Sequence, residues 1–228
     1  MKLSLVLLTL NEVNGLERLF AQIPLEAVDE AFAVDGNSTD GTLEFYEKVK
    51  FPVVLQTRRG RGDAFRTAFE RATGDAIIFF SPDGNEDPAD ILKFRGYLEG
   101  GADMVIGNRM SNGGRNEEDV QLIKLRKWAN NFFTWIANRT WNKGPFVYDT
   151  INGFRAITRR AWHELSPDGP GYTVEYQCSI RAFKRGLQIR EFPTIESGRI
   201  GPEKGSPSIA TGLAFVKLYF RELRNRDW

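Results

Sequence analysis

The chain is predicted to be an α/β protein in which a mostly parallel central sheet is flanked by helices, and three observations predict it. Short apolar runs at 3–8, 31–35, 52–56, 77–80, 104–106 and 188–192 alternate with longer stretches of helical periodicity. The run 77–80 (Ile-Ile-Phe-Phe) is apolar at every position, as a strand buried on both faces requires. Directly after it come Pro82, Asp83, Gly84 and Asn85. A polar loop at the carboxyl end of a buried strand is where Rossmann-like sheets bind ligands, so Asp83 and Asn85 stand where a metal or a phosphate group could be held. With 228 residues and 41% hydrophobic content, one domain with a substantial core is expected.

Taken in order, strand 3–8 leads through Thr9, Asn11 and Glu12 into a helix starting near Asn14 and running to about Gln22. Asn11 and Glu12 suit the reading of a base edge and suit the end of a strand equally well. Strand 31–35 closes on Asp35, and Gly36 and Asn37 tolerate the sharp turn that follows. Ser38, Asp40 and Thr42 are the expected caps of a helix running to about Val49, whose amides would favour a nearby anion. After strand 52–56 the basic, glycine-rich segment 58–62 includes Arg61. It fits either a diphosphate site or a solvated turn. The next helix sets Phe65, Ala68, Phe69 and Ala72 on one face.

Beyond the 77–80 strand, Asp87 and Pro88 are expected to cap and open a helix. Strand 104–106 is followed by a glycine- and asparagine-rich stretch, 111–116, with the composition of a mobile lid. A long helix is expected over 121–141, where aromatic and basic residues alternate. That mixture fits a lipid headgroup boundary, although about half of the aromatics also fit core packing. A helix over 173–185, a strand over 188–192, a polar loop over 196–206 and an amphipathic helix over 211–228 complete the chain. We expect a main domain over 1–208 and a terminal helix over 209–228. That helix could dock on the domain, pair with a second copy to form a homo-oligomer, or lie on a membrane.

Composition narrows the function. A net charge of +1 argues against nucleic-acid binding as the main task. A lone cysteine, Cys178, excludes an intramolecular disulfide and fits a reducing compartment. The run 3–8 belongs to a strand and not to a signal peptide, and no stretch approaches eighteen consecutive apolar residues, so membrane contact is expected to be peripheral.

Six motifs occur in sequence: Val6-Leu-Leu-Thr-Leu-Asn-Glu12; Val34-Asp-Gly-Asn-Ser-Thr-Asp-Gly-Thr42; Gly60-Arg-Gly62 with Ala72-Thr-Gly-Asp75; Ser81-Pro-Asp83; Gly107-Asn-Arg109; and Asn152-Gly-Phe-Arg155. In this order they resemble the inverting family-two glycosyltransferases of the GT-A fold, and within them the dolichyl- or polyprenyl-phosphate mannose synthase branch. The resemblance covers roughly the first 200 residues. It implies a nucleotide diphosphate sugar, GDP-mannose or a UDP-hexose, as donor and a polyprenyl phosphate as acceptor. It also implies a peripheral enzyme on the cytoplasmic face of the membrane that uses Mg²⁺ or Mn²⁺.

By the same resemblance Thr9, Asn11, Glu12, Asp35, Arg61 and Asp83 bind the nucleotide, and Asp83 with Asn85 holds the metal. Asp149, Asn152, Arg155 and Glu175 lie near the sugar, although a buried salt bridge accounts for Arg155 equally well. Arg109, one of Lys124 and Arg126, Arg199 and Lys204 present the acceptor phosphate, and Asp83, Arg109, Arg126 and Arg199 carry catalysis. Three departures matter. Gly36 replaces a second acid, Ser81 replaces the first carboxylate of Asp-x-Asp, and Glu175-Tyr176 stands where relatives carry a Glu-Asp pair with the base. A phosphate monoester, with a second pKa near ~6, tolerates the loss of a base better than a hydroxyl does. Two alternatives remain: a glycan hydroxyl as acceptor, with Glu175 or Asp149 as base, or a sugar-nucleotide-binding protein without catalysis.

Overall fold

The computed structural model describes residues 1–111, 113–116, 125–202 and 208–225. Seven strands form one sheet: β1 Leu3–Thr9, β2 Glu30–Asp35, β3 Val53–Leu55, β4 Ala76–Phe80, β5 Met104–Asn108, β6 Arg155–Thr158 and β7 Ile189–Pro193. Their spatial order is β3-β2-β1-β4-β6-β5-β7. All pairs are parallel except those of β6, which runs antiparallel to both β4 and β5. The β1–β2 register sets Thr9 opposite Asp35, side by side where both strands end.

Among the described residues eight α-helices cover the sheet: α1 Val13–Leu19, α2 Thr42–Lys48, α3 Arg61–Arg71, α4 Lys93–Glu99, α5 Leu125–Trp141, α6 Arg159–Leu165, α7 Thr173–Arg185 and α8 Ser208–Arg224. Strand alternation divides the core between the two faces. Leu5 and Leu7 point toward Leu16, Tyr46 and Phe94 of α1, α2 and α4. Val6 and Leu8 belong to the larger layer with Phe65 of α3, Trp162 of α6, Tyr176 of α7 and Phe215 of α8. Burying this much aromatic surface is the main stabilising term.

Several elements differ from expectation. The strand β6 and the helix α6 were not foreseen, because Arg-Ala-Ile-Thr carries no alternation that marks a strand. Thr158 both ends β6 and caps α6, its Oγ1 accepting from Ala161 N at 3.1 Å. Helix α2 starts from Gly41, in the left-handed region at φ 101°, with no side-chain cap. Asp40 instead accepts from Thr42 N at 3.0 Å and Val13 N at 3.1 Å, tying the turn to α1. Asp87 does cap, accepting from Ala89 N at 2.9 Å, but a 3-10 turn at Pro88–Leu92 precedes α4.

The helix expected from 121 is described from Leu125. Helix α8 lies on the domain: buried Glu222 accepts from Gln177 at 2.9 Å and from Arg181 and Lys184 at 3.0 Å, all on α7. Among the described residues no helix is long and apolar enough to cross a membrane.

Candidate active site

Charged side chains converge on the loops at the carboxyl ends of β1, β2, β4 and β5. At the β1–β2 end Asp35 is fully buried and accepts from Thr9 Oγ1 at 2.8 Å, Ser38 N at 2.7 Å and Ser38 Oγ at 2.6 Å. Asn11, at φ 55°, accepts from Thr39 N at 2.8 Å and donates its own N–H to Ser38 Oγ at 2.7 Å. Thr9, Asn11 and Asp35 therefore lock the two turns together.

At the end of β4 the turn is built around Asp83. Its Oδ1 accepts from Asn85 N at 3.1 Å, its carbonyl accepts from Ile200 N at 2.7 Å, and its Oδ2 accepts from Arg199 Nη1 at 2.8 Å. Arg199 also pairs with Glu12, so one guanidinium bridges two carboxylates from loops far apart in sequence. Burial and the nearby charge of Glu12 raise the Asp83 carboxyl above its ordinary range, against the pull of Arg199.

Arg61, on the first turn of α3, pairs with Glu175 and reaches Ser81 Oγ at 3.5 Å. The other oxygen of Glu175, Oε2, is buried and has no hydrogen-bond partner among the described residues. Glu86 folds back so that its Oε2 accepts from Ser81 N at 2.8 Å, and burial together with Asp83 pushes its carboxyl up to about 8. Glu86 was missed in the sequence, where it was one acid in an Asn-Glu-Asp run.

On the far side Arg109, just past β5, holds Asp149 with Nε at 2.8 Å and Nη2 at 3.2 Å, and holds Glu196 with Nη1 at 2.7 Å. Burial opposes the Arg109 charge, but these two carboxylates outweigh it and the guanidinium stays protonated at any working pH. Glu196 also accepts from Asn116 at 2.6 Å, and nothing in its polar loop marked it beforehand.

Asn152 donates to Gly107 O at 2.6 Å and so fixes the Asp149 loop to β5. Arg155 is fully buried, and both accounts given for it need correction. Its guanidinium donates to the carbonyls of Asn152 at 2.7 Å, Glu175 at 2.9 Å and Thr150 at 3.2 Å, and to Ser179 Oγ at 3.3 Å. It holds up the Asp149 loop and α7 from beneath; among the described residues it pairs with no carboxylate, and at 0% exposure it is sealed from any ligand. Arg126 is exposed on the first turn of α5, whereas Lys124 and Lys204 lie outside the described residues.

The residues fit a divalent cation in a limited sense. Among the described residues no group of three or more His, Cys, Asp or Glu side chains is placed to hold a metal. Around Asp83, however, carboxylates outnumber cations even with Glu86 protonated: Glu12, Asp83 and Glu175 stand against Arg61 and Arg199. A hard cation needing only one carboxylate and one amide from the protein, with its other oxygens from substrate and water, suits that excess.

Comparison with known proteins agrees with this architecture. The glycosyl transferase family 2 model matches residues 4–162. A dolichyl-phosphate hexose transferase from Haloferax volcanii is 27% identical, the alignment covering 96% of this chain and 95% of that protein. A dolichol-phosphate mannosyltransferase from Pyrococcus furiosus is 33% identical over 74% of this chain and 50% of its own length. Glucosyl-3-phosphoglycerate synthase from Mycobacterium tuberculosis, crystallised with Mn²⁺, UDP-glucose and phosphoglyceric acid, superposes with a TM-score of 0.74 at 24% identity, covering 97% of this chain and 78% of that one. At that identity the likeness speaks for the fold, which is of the GT-A kind. A Rossmann-like sheet with an acidic turn after β4, together with a family model that spans most of it, makes this chain a member of glycosyl transferase family 2.

Proposed function

We propose that this chain moves a hexose from a nucleotide diphosphate sugar to a polyprenyl phosphate, with inversion at the anomeric carbon, as a peripheral enzyme on the cytoplasmic face of a membrane. The names of the Haloferax and Pyrococcus relatives support the acceptor class. One structural observation carries the reading. The two carboxylates considered as bases are both ion-paired, Asp149 with Arg109 and Glu175, through Oε1, with Arg61. An ion-paired carboxylate must give up its partner to accept a proton, whereas a phosphate monoester arrives already ionised.

In this scheme an acceptor phosphate oxygen attacks the anomeric carbon as the bond to the nucleotide diphosphate breaks on the opposite side. Thr9, Asn11, Glu12, Asp35 and Arg61 form the nucleotide end, while Arg109 and Arg199, with one of Lys124 and Arg126 and with Lys204, form the acceptor end. Asp83 and Asn85 would hold Mg²⁺ or Mn²⁺, which neutralises charge on a leaving diphosphate when bound. Positioning and fixed charge supply most of the acceleration.

The test incubates the protein with UDP- and GDP-hexoses and a short-chain polyprenyl phosphate, and measures nucleotide diphosphate release and lipid-linked sugar. Release coupled to a sugar phosphodiester is expected. Transfer to a glycan hydroxyl, with none to the lipid phosphate, would overturn the reading. The buried Oε2 of Glu175, without a partner among the described residues, favours that second possibility; under it Glu175→Gln would abolish transfer. Nucleotide-sugar binding with no transfer to either acceptor would identify a non-catalytic binding protein.

A further inference from the structure

Helices α5 and α8 are apolar on two opposite sides, and only one side of each is used by the fold. Phe133 and Ala137 of α5 and Phe215 and Leu218 of α8 face the core. On the outer side of α5, Leu125, Trp128, Phe132 and Trp135 are 53–67% exposed and recur at helical spacing. On α8, Leu213, Val216, Phe220 and Leu223 repeat that spacing and are 39–55% exposed. The two helices are neighbours, joined by Phe133–Phe215 at 5.2 Å and Trp141–Tyr219 at 5.1 Å between ring centroids. Exposed apolar faces on two neighbouring helices mark an interaction site.

Charge identifies the occupant. Every charged residue of α5 is basic (Arg126, Lys127 and Arg139), and the one acid on α8, Glu222, is buried against α7. Lys217 and Arg224 complete a cationic border, with Arg221 paired to Asp168, although the chain as a whole carries only +1. Symmetric pairing with a second copy would bring this border against itself. An anionic bilayer surface satisfies both features, because rings enter the acyl boundary while arginines and lysines meet phosphates. From its inner side, opposite this face, α5 reaches the site: Thr134 and Thr150, the neighbour of Asp149, are both buried and hydrogen-bonded through their hydroxyls at 2.8 Å.

We infer that the outer faces of α5 and α8 together form a docking surface for anionic lipid bilayers. The inference rests on the lipid-acceptor reading for its purpose and names the surface from which that acceptor is drawn. The test is co-sedimentation of the full chain with phosphatidylcholine vesicles with and without phosphatidylglycerol, read alongside tryptophan emission. Anionic vesicles should bind on the order of tenfold more tightly than neutral ones, with a blue shift, and added salt should weaken binding.

The double variant W128E/F220E should keep its unfolding midpoint and its transfer to a short-chain soluble acceptor, yet lose about tenfold or more in vesicle affinity. The variant R139E/R224E should lose the preference for anionic lipid. Failure of the wild type to bind, unchanged binding by both variants, or a stable dimer that W128E/F220E dissociates would each overturn the inference. Vesicle binding without sugar transfer to polyprenyl phosphate would sink the acceptor reading alone. Transfer to the soluble acceptor without vesicle binding would sink the docking surface alone.

Discussion

Arg199 Nη1 donates to Asp83 Oδ2 across 2.8 Å, so the carboxylate best placed for a divalent ion already holds a cation of the protein's own. The same guanidinium pairs with Glu12. Arg199→Gln should therefore tighten Mn²⁺ binding in the absence of nucleotide, on the order of tenfold, while slowing sugar transfer. Electron paramagnetic resonance of free Mn²⁺ measures the first effect. Asp83→Ala should abolish any Mn²⁺-dependent rise in melting temperature, whether or not a nucleotide sugar is present.

The Arg109 cluster makes a different prediction. Arg109→Met leaves Asp149 and Glu196 without the cation that both share, and breaking a largely buried pair costs about 3–5 kcal/mol. Urea unfolding should show that loss. Arg109→Lys should recover only part of it, because an ammonium cannot reproduce the fork that grips both oxygens of Asp149.

Gly15 tests how tightly the Asp83 turn is held. A Cβ there would lie 1.9 Å from the Pro82 carbonyl oxygen, which is backbone and cannot swing aside. Gly15→Ala should cost about 1–3 kcal/mol and weaken the thermal shift produced by nucleotide sugars, because the Pro82–Asp83 peptide must move. Gly96→Ala, where the added methyl meets nothing within 4 Å, is the control and should be neutral or mildly stabilising.

A pH dependence follows from Glu191 on β7, whose two oxygens accept from Tyr148 N at 2.8 Å and Asp149 N at 2.9 Å. Burial pushes this carboxyl up from its ordinary 4.5 to about 7, despite those two donors. Between these values the folded chain binds more protons at this group than the unfolded chain does, so its contribution to stability falls as pH rises from about 4.5 to about 7. Unfolding midpoints taken across that range should decline, and Glu191→Gln should flatten the slope.

Much of this was legible in the sequence because strand and helix periods are local. The 77–80 run announced β4, and Pro82, Asp83 and Asn85 fell at its end. Longer-range pairing was not legible. Arg199 and Asp83 are 116 positions apart, and nothing in either neighbourhood names the other. Arg155 looked like a pocket residue because it ends a polar motif, yet the sheet register sets it opposite Ile106 and Phe79, inside the protein. Strand β6 was hidden because four residues with an arginine and a threonine carry too little pattern to outweigh their neighbours. Gly41 starts the helix for which Ser38, Asp40 and Thr42 were the expected caps, and Ser38 is held by Asp35 instead.

The reversed direction of β6 has a consequence for how such a scaffold can diversify. Its neighbours β4 and β5 meet the ligand-facing rim as they leave the sheet, whereas β6 meets it on arrival. Whatever precedes Arg155 is thus delivered to that rim by a chain still on its way in, anchored by the buried arginine and by Asn152. Additions or deletions over 142–148 can reshape the rim beside Asp149 while every strand keeps its partner. Two parts of one rim can then vary separately, one tied to strand endings and the other to a segment that no strand pairing holds.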